Sequence, residues 1–275
     1  MTLVTMADAV ASCRPGGLGA FNVILIEHAE AIVTGAEVAG RPTVLQLSEN
    51  TVTYHGALAP LTVACLRIAA DSSADVVVHL DHATDRKLVE EAVGLGVESV
   101  MYDASALPHD DNVASTAEVA GWCHEHGVSV EAELGEVGGK DGAHAPGVRT
   151  DPAQAAAYVD ATGVDALAVA VGSSHAMLTR DAELDNELIA AIAAEVAVPL
   201  VLHGSSGVPD AGLAAAVAHG MVKINLATRL NQAMTGAVRA ALDADETIVD
   251  PRTYLGPGRD AVASEVARLL SLLAG

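Results

Sequence analysis

Short apolar runs alternate with longer amphipathic stretches along the whole chain, the pattern of repeated βα units that build a parallel sheet. Eight runs read as strands: approximately Leu18 to Val23, Thr43 to Leu47, Asp75 to Leu80, Ser99 to Tyr102, Val128 to Leu134, Ala166 to Val171, Leu200 to Leu202 and Met221 to Leu226. Helical periodicity lies between them, near residues 26–39, 57–71, 84–95, 111–126, 152–162, 184–195, 210–219 and 228–243. The opening residues predict a helix covering one end of the sheet. Gly258 to Leu273 predicts a terminal helix packed through Val262, Val266, Leu269 and Leu273.

Eight such units stacked as an open sheet would leave two exposed edges, whereas a ring leaves none. The chain has 275 residues, near the ~250 of an eightfold α/β barrel. The expectation is therefore one domain over residues 1–275, a single (β/α)8 barrel of the TIM-barrel class with an N-terminal capping helix and a C-terminal helix. Its longest irregular stretch, Gly135 to Arg149, carries Gly135, Gly138, Gly139, Gly142 and Gly147 and follows the fifth strand. It reads as a lid or insertion beside the active-site face.

Composition narrows the picture. Phe, Trp and Tyr together number six against a 51% apolar content, so the core must be aliphatic, as suits parallel strands buried on both faces. A formal charge of −22 argues against nucleic acid or an anionic membrane as partner. An anionic substrate would have to be held locally, by backbone N–H groups, a metal ion or a few side chains. Cys13, Cys65 and Cys123 are odd in number and far apart, which points to reduced thiols rather than a disulfide framework or a cysteine zinc site. The N-terminus lacks the basic start and apolar run of a signal peptide, and no 18 apolar residues run together, so a cytoplasmic protein is expected.

Chemistry in such barrels gathers at the C-terminal ends of the strands. There the chain presents Asn22, Ser48, Asp81 with His82, Asp103 with Ser105, Glu131 with Glu133, His175, His203, and Asn225 with Thr228. His82, His175 and His203 sit at comparable depth on strands three, six and seven, and three converging imidazoles would make a catalytic zinc site with an open position; otherwise they are scattered core or surface histidines. Asp81, beside His82, could reach substrate without binding metal, or could serve as a capping carboxylate. Glu131 and Glu133 share a face and need a cation or hydrogen-bond network if buried. Glu133 with Asp103 could hold a second metal or form a structural ion pair. Gly204, Ser205, Ser206 and Gly207 before one helix, and Asn225, Leu226, Ala227 and Thr228 before the next, read as two phosphate cradles.

These residues resemble a known family. HLDHA at His79 to Ala83 and EAELGEVGGKD at Glu131 to Asp141 look like the paired signatures of the class II, metal-dependent ketose-bisphosphate aldolases. AFNV at Ala20, VGSSHA at Val171, LHGSSG at Leu202, KINLAT at Lys223 and DPRTYLGP at Asp250 are further matches, in order along nearly the whole chain. The resemblance implies that His82, His175 and His203 bind Zn2+ and that Asp81 is the acid/base. It implies substrate or phosphate contacts from Asn22, Ser48, Ala176, Gly204, Ser205, Ser206, Asn225, Ala227 and Thr228, a nearby Na+ or K+, and a homodimer or homotetramer. Three positions depart from the pattern: Asp141 stands for the usual glutamate, Ala176 for a common glycine, and Ala227 resembles the tagatose-bisphosphate subgroup.

The implied reaction is reversible cleavage of a fructose- or tagatose-type 1,6-bisphosphate to dihydroxyacetone phosphate and an aldehyde. Asp81 would take the C4 hydroxyl proton and Asp141 would supply the carbon proton, with zinc as Lewis acid. The rival readings are Schiff-base chemistry at Lys223, a zinc hydrolase, another phosphorylated ketose, and a non-catalytic barrel subunit that stabilises an aldolase partner.

Overall fold

In the computed structural model, which describes residues 3–134, 149–174 and 177–275, the eight strands close into a parallel barrel in sequence order. The strands are β1 (Leu18–Asn22), β2 (Thr43–Ser48), β3 (Val76–Ala83), β4 (Ser99–Tyr102), β5 (Ser129–Glu133), β6 (Ala166–Ala168), β7 (Leu200–Leu202) and β8 (Met221–Leu226). The ring is sealed where β8 pairs with β1, Ala20 lying opposite Asn225. The helices are α1 (Met6–Cys13), α2 (Ile26–Ala39), α3 (Glu49–His55), α4 (Ala59–Asp71), α5 (Arg86–Gly94), α6 (His109–Glu125), α7 (Pro152–Thr162), α8 (Asn186–Glu195), α9 (Asp210–Ala218), α10 (Thr228–Ala244) and α11 (Pro251–Leu273).

Alternation along each strand divides the apolar residues into two sets. Phe21, Leu45, Leu47, Val78, Leu80, Val100 and Leu167 face outward into one aliphatic layer shared with the surrounding helices. Leu18, Ala20, Val44 and Val77 face inward and meet Met6, Ala9 and Cys13 of α1, which plugs the lower end as the sequence predicts. The upper interior is polar: Gln46, His79, Asp81, Glu131, Glu133, His203 and Lys223 are all buried. The described residues contain no single helix long and apolar enough to cross a membrane.

Four differences from expectation exceed two residues. Residues 49–55 form α3, which the periodicity did not predict; Ser48 caps it by accepting from Thr51 N at 3.3 Å, and Gly56 ends it with a left-handed φ of 75°. β3 runs on to Ala83, carrying Asp81 and His82 within the strand. β6 stops at Ala168, because Ala170 bonds with Thr150 instead of continuing the ladder, its N–H donating to Thr150 Oγ1 at 2.8 Å. The terminal helix starts at Pro251, with Asp250 accepting from Arg252 N at 3.0 Å, and carries Gly256, Pro257 and Gly258 inside it. Proline at the first helical position needs no N–H partner, so the start is natural.

Candidate active site

The upper mouth of the barrel holds a cavity of about 430 Å³ lined by Asn22, Gln46, Ser48, Asp81 and His82 on one side. Gly204, Ser205, Ser206, Asn225, Ala227 and Thr228 line the other, and Tyr54 of α3 stands at its rim. Asp81 and His82 are consecutive, so a regular pleat would send them to opposite faces of β3. The pairing of β3 with β4 shifts register between Leu80 and Ala83, and His82 has φ of +52°, the one described non-glycine residue in the left-handed region. Such a conformation costs about 1–3 kcal/mol. Here it lets both side chains serve one site.

Among the described residues, His82, Glu133 and His203 bring their ligand atoms within 4.8 Å of one another, and the two imidazole centroids are 4.7 Å apart. The surroundings fix the rings. His82 Nδ1 lies 2.7 Å from Asp103 Oδ2, while Asp103 Oδ1 accepts from Ser105 Oγ at 2.6 Å. With its Nδ1–H given to that carboxylate, His82 carries its lone pair on Nε2. His203 Nε2 lies 2.9 Å from Glu131 Oε1, and its Nδ1 3.3 Å from Glu133 Oε2. Carboxylates that orient ligand imidazoles in this way also raise their basicity. Two imidazoles and a carboxylate form a donor set that suits zinc, so the residues present fit the expected ion. Asp103 stands behind His82 as its orienting group.

Lys223 neutralises the inner carboxylate, donating from Nζ to Glu131 Oε2 at 2.8 Å, with both side chains at most 2% exposed. His79 completes this layer, with Nδ1 2.8 Å from Ser99 Oγ. Burial first, and the Lys223 ammonium second, hold His79 well below its usual pKa, so the ring is neutral. Asp81 is 3% exposed and accepts from Asn22 Nδ2 at 3.3 Å. Asn22 Oδ1 in turn accepts from Gln46 Nε2 at 2.9 Å, which fixes the Asn22 amide as donor to Asp81.

On the opposite wall Gly204 has φ of +66°, and a Cβ there would come within 2.5 Å of the Ser174 carbonyl; only glycine fits. The next three residues form a short 3₁₀ turn, Ser205–Gly207. Ser205 donates its hydroxyl proton to Leu202 O at 2.9 Å. Ser206 Oγ accepts from Ala227 N at 3.3 Å and Arg229 N at 3.4 Å, tying the loop after β7 to that after β8. His175, Ala176 and Asp141 lie outside the described residues.

Sequence reasoning did not single out Gln46, and it left the burial of Glu131 open between a cation and a hydrogen-bond network. The first carried a signal, a lone amide at the same parity as Ser48 in the apolar run TVLQLS. The second needed the barrel closed before Lys223 and Glu131, 92 residues apart, could be matched.

The family model for class II fructose-bisphosphate aldolases matches residues 4–275. A fructose-bisphosphate aldolase of Staphylococcus aureus (strain Mu50) is 36% identical over 272 residues, covering 97% of this chain and 95% of that protein. The crystal structure of the YdjI aldolase from Escherichia coli K12 superposes with a TM-score of 0.83 at 29% identity, over 98% of this chain and 97% of the other. Fructose-bisphosphate aldolase from Campylobacter jejuni shares the fold, with a TM-score of 0.79 at 19% identity over 97% and 92% of the two chains.

Proposed function

Because the chain belongs to the class II fructose-bisphosphate aldolase family and is thus a ketose-bisphosphate aldolase, a lyase acting on phosphorylated sugars, we propose that it does so with one zinc ion. The ion would be held by His82, His203 and His175, with Glu133 within reach. The observation that carries the reading is Asp81 held by Asn22 on the same strand end as His82, in a cavity whose far wall is the Gly204 turn.

A bound divalent ion supplies Lewis acidity at the ketone oxygen and offsets the negative charge that develops as the C3–C4 bond breaks. Asp81 accepts the C4 hydroxyl proton during cleavage and returns it in the condensation direction. Asn22, locked by Gln46, keeps the Asp81 carboxylate turned toward that hydroxyl. Ser48, Gly204, Ser205, Ser206, Asn225, Ala227 and Thr228 form the walls that receive the sugar and its phosphates, and Ala176 is a further phosphate-binding residue by resemblance to the family. Asp141 supplies the proton to the carbon of dihydroxyacetone phosphate. The substrate is a ketose 1,6-bisphosphate of fructose or tagatose type, and a Na+ or K+ would serve as a second, monovalent cofactor. The 275 residues act as one domain, in a cytoplasmic homodimer or homotetramer.

Lys223 is engaged with Glu131 deep in the barrel, which leaves Schiff-base chemistry without a nucleophile there. Stripping the purified protein with a chelator and adding zinc back tests the proposal against fructose and tagatose 1,6-bisphosphates. Release of dihydroxyacetone phosphate should stop and then return; undiminished cleavage by metal-free protein sinks the reading.

A further inference from the structure

The end of β5 is anchored from outside the barrel by a buried amide that the chemistry above does not use. Asn112 of α6 is 1% exposed. Its Nδ2 donates to the main-chain carbonyls of Glu133 and Leu134, at 3.2 Å each. Its Oδ1 accepts from Tyr158 Oη of α7 at 2.7 Å and from Thr116 Oγ1 at 3.0 Å. Two donor and two acceptor places are the whole capacity of an amide. Turning it over would set oxygen against oxygen on the carbonyl side, so its orientation is determined.

The anchor sits where the sheet lets go. β5 pairs with β4 as far as Ala132 and with β6 as far as Glu133, and Asn112 takes hold of the next peptide units. Burial pushes the Tyr158 hydroxyl up to about 12, so it remains a donor at any working pH. Glu133 is itself one of the three residues whose ligand atoms converge. Metal–ligand distances tolerate only about ±0.2 Å, so the carboxylate can be no better placed than the backbone that carries it.

We propose that Asn112, braced by Tyr158 and Thr116, is a positioning residue for the metal site, holding the Glu133 carboxylate at the spacing from His82 and His203 that a divalent cation requires. The proposal rests on the reading of those three residues as metal-binding. A residue that merely stabilised α6 against β5 would lower the melting temperature without acting through Glu133.

The test is zinc affinity, read by competition with a chromophoric chelator, for wild type, Asn112→Ala, Glu133→Gln and the double variant, with melting of each metal-free protein recorded alongside. Asn112→Ala should weaken zinc binding about 10- to 100-fold, the range for loss of a group that orients a ligand. It should add little in the Glu133→Gln background, because both changes act on the same carboxylate. Unchanged affinity in Asn112→Ala, or full additivity in the double variant, overturns the proposal while leaving Glu133 a ligand. Unchanged affinity in Glu133→Gln overturns Glu133 as a ligand, and the proposal with it, while leaving the three-histidine site to be tested by the chelation experiment. Should Asn112→Ala fail to fold, Tyr158→Phe removes one hydrogen bond; about 3-fold weaker zinc binding, absent in the Glu133→Gln background, supports the proposal, and no change overturns it.

Discussion

Among the described residues Asp81 has one hydrogen-bonding neighbour of fixed orientation, the Asn22 amide, and the proposal gives it proton transfer and not metal binding. Replacing Asp81 with Asn keeps the shape and removes the carboxylate proposed as base. Cleavage should fall about 10²- to 10⁴-fold in kcat, while zinc affinity by chelator competition stays near wild type; loss of zinc binding would make Asp81 a ligand instead. The layer beneath behaves differently, since Lys223 and Glu131 are a buried pair and removing one partner strands the other charge. Lys223→Met should cost about 3–5 kcal/mol by denaturant unfolding of the metal-free protein. Adding Glu131→Gln should recover part of that loss. These partners were opaque in the sequence because a buried carboxylate announces only that it needs something, whereas His82 and His203 were legible through their place at strand ends. His82 also needed the register shift in β3, a backbone feature with no letter of its own.

The elements themselves were largely readable, because an eightfold alternation of aliphatic strands and amphipathic helices leaves few ways to bury both faces of every strand. What escaped was α3, only seven residues long and too short to show a helical period. The first seven residues of α11 escaped too, because Gly256, Pro257 and Gly258 read as a break. Packing between elements makes sharper demands than periodicity. At Gly35, where α2 crosses α11, an added Cβ would meet the Ala263 carbonyl oxygen at 2.7 Å and Val266 Cβ at 2.7 Å. Helix propensity alone would favour alanine by about 1 kcal/mol, but overpacking of about 1–3 kcal/mol wins when the obstacle is backbone. Gly35→Ala should therefore lower the melting temperature in calorimetry, not raise it. A second tie joins α9, α10 and α11 at Asp210, which takes Arg229 at 2.9 Å and Arg268 at 2.7 Å. Burial pushes this carboxyl up, but the hydrogen bonds from Arg268 and Arg229 outweigh it and hold it below its ordinary 3.8. A depressed folded-state value gives stability that is complete above pH 3.8 and lost as pH falls through the lower folded value. Asp210→Asn should thus melt earlier than wild type at pH 7, and the gap should close in strongly acidic buffer.

At the scale of the molecule, a formal charge of −22 faces a substrate whose two phosphates carry about −1.5 to −2 charges each. The two forces differ in range. Attraction at the barrel mouth, from the backbone N–H groups and the cation proposed there, would act over a few ångströms and set how the sugar sits. Repulsion by the whole surface extends about 30 Å at 0.01 M salt and shrinks to about 8 Å at 0.15 M, so it governs approach and not seating. Raising tetramethylammonium chloride across that interval, a salt chosen so that neither Na+ nor K+ changes, should increase kcat/KM for the ketose bisphosphate and leave kcat almost unmoved. The opposite slope, a fall in kcat/KM with salt, would mean that the local positive field at the mouth reaches far enough to steer substrate inward against the charge of the rest of the chain.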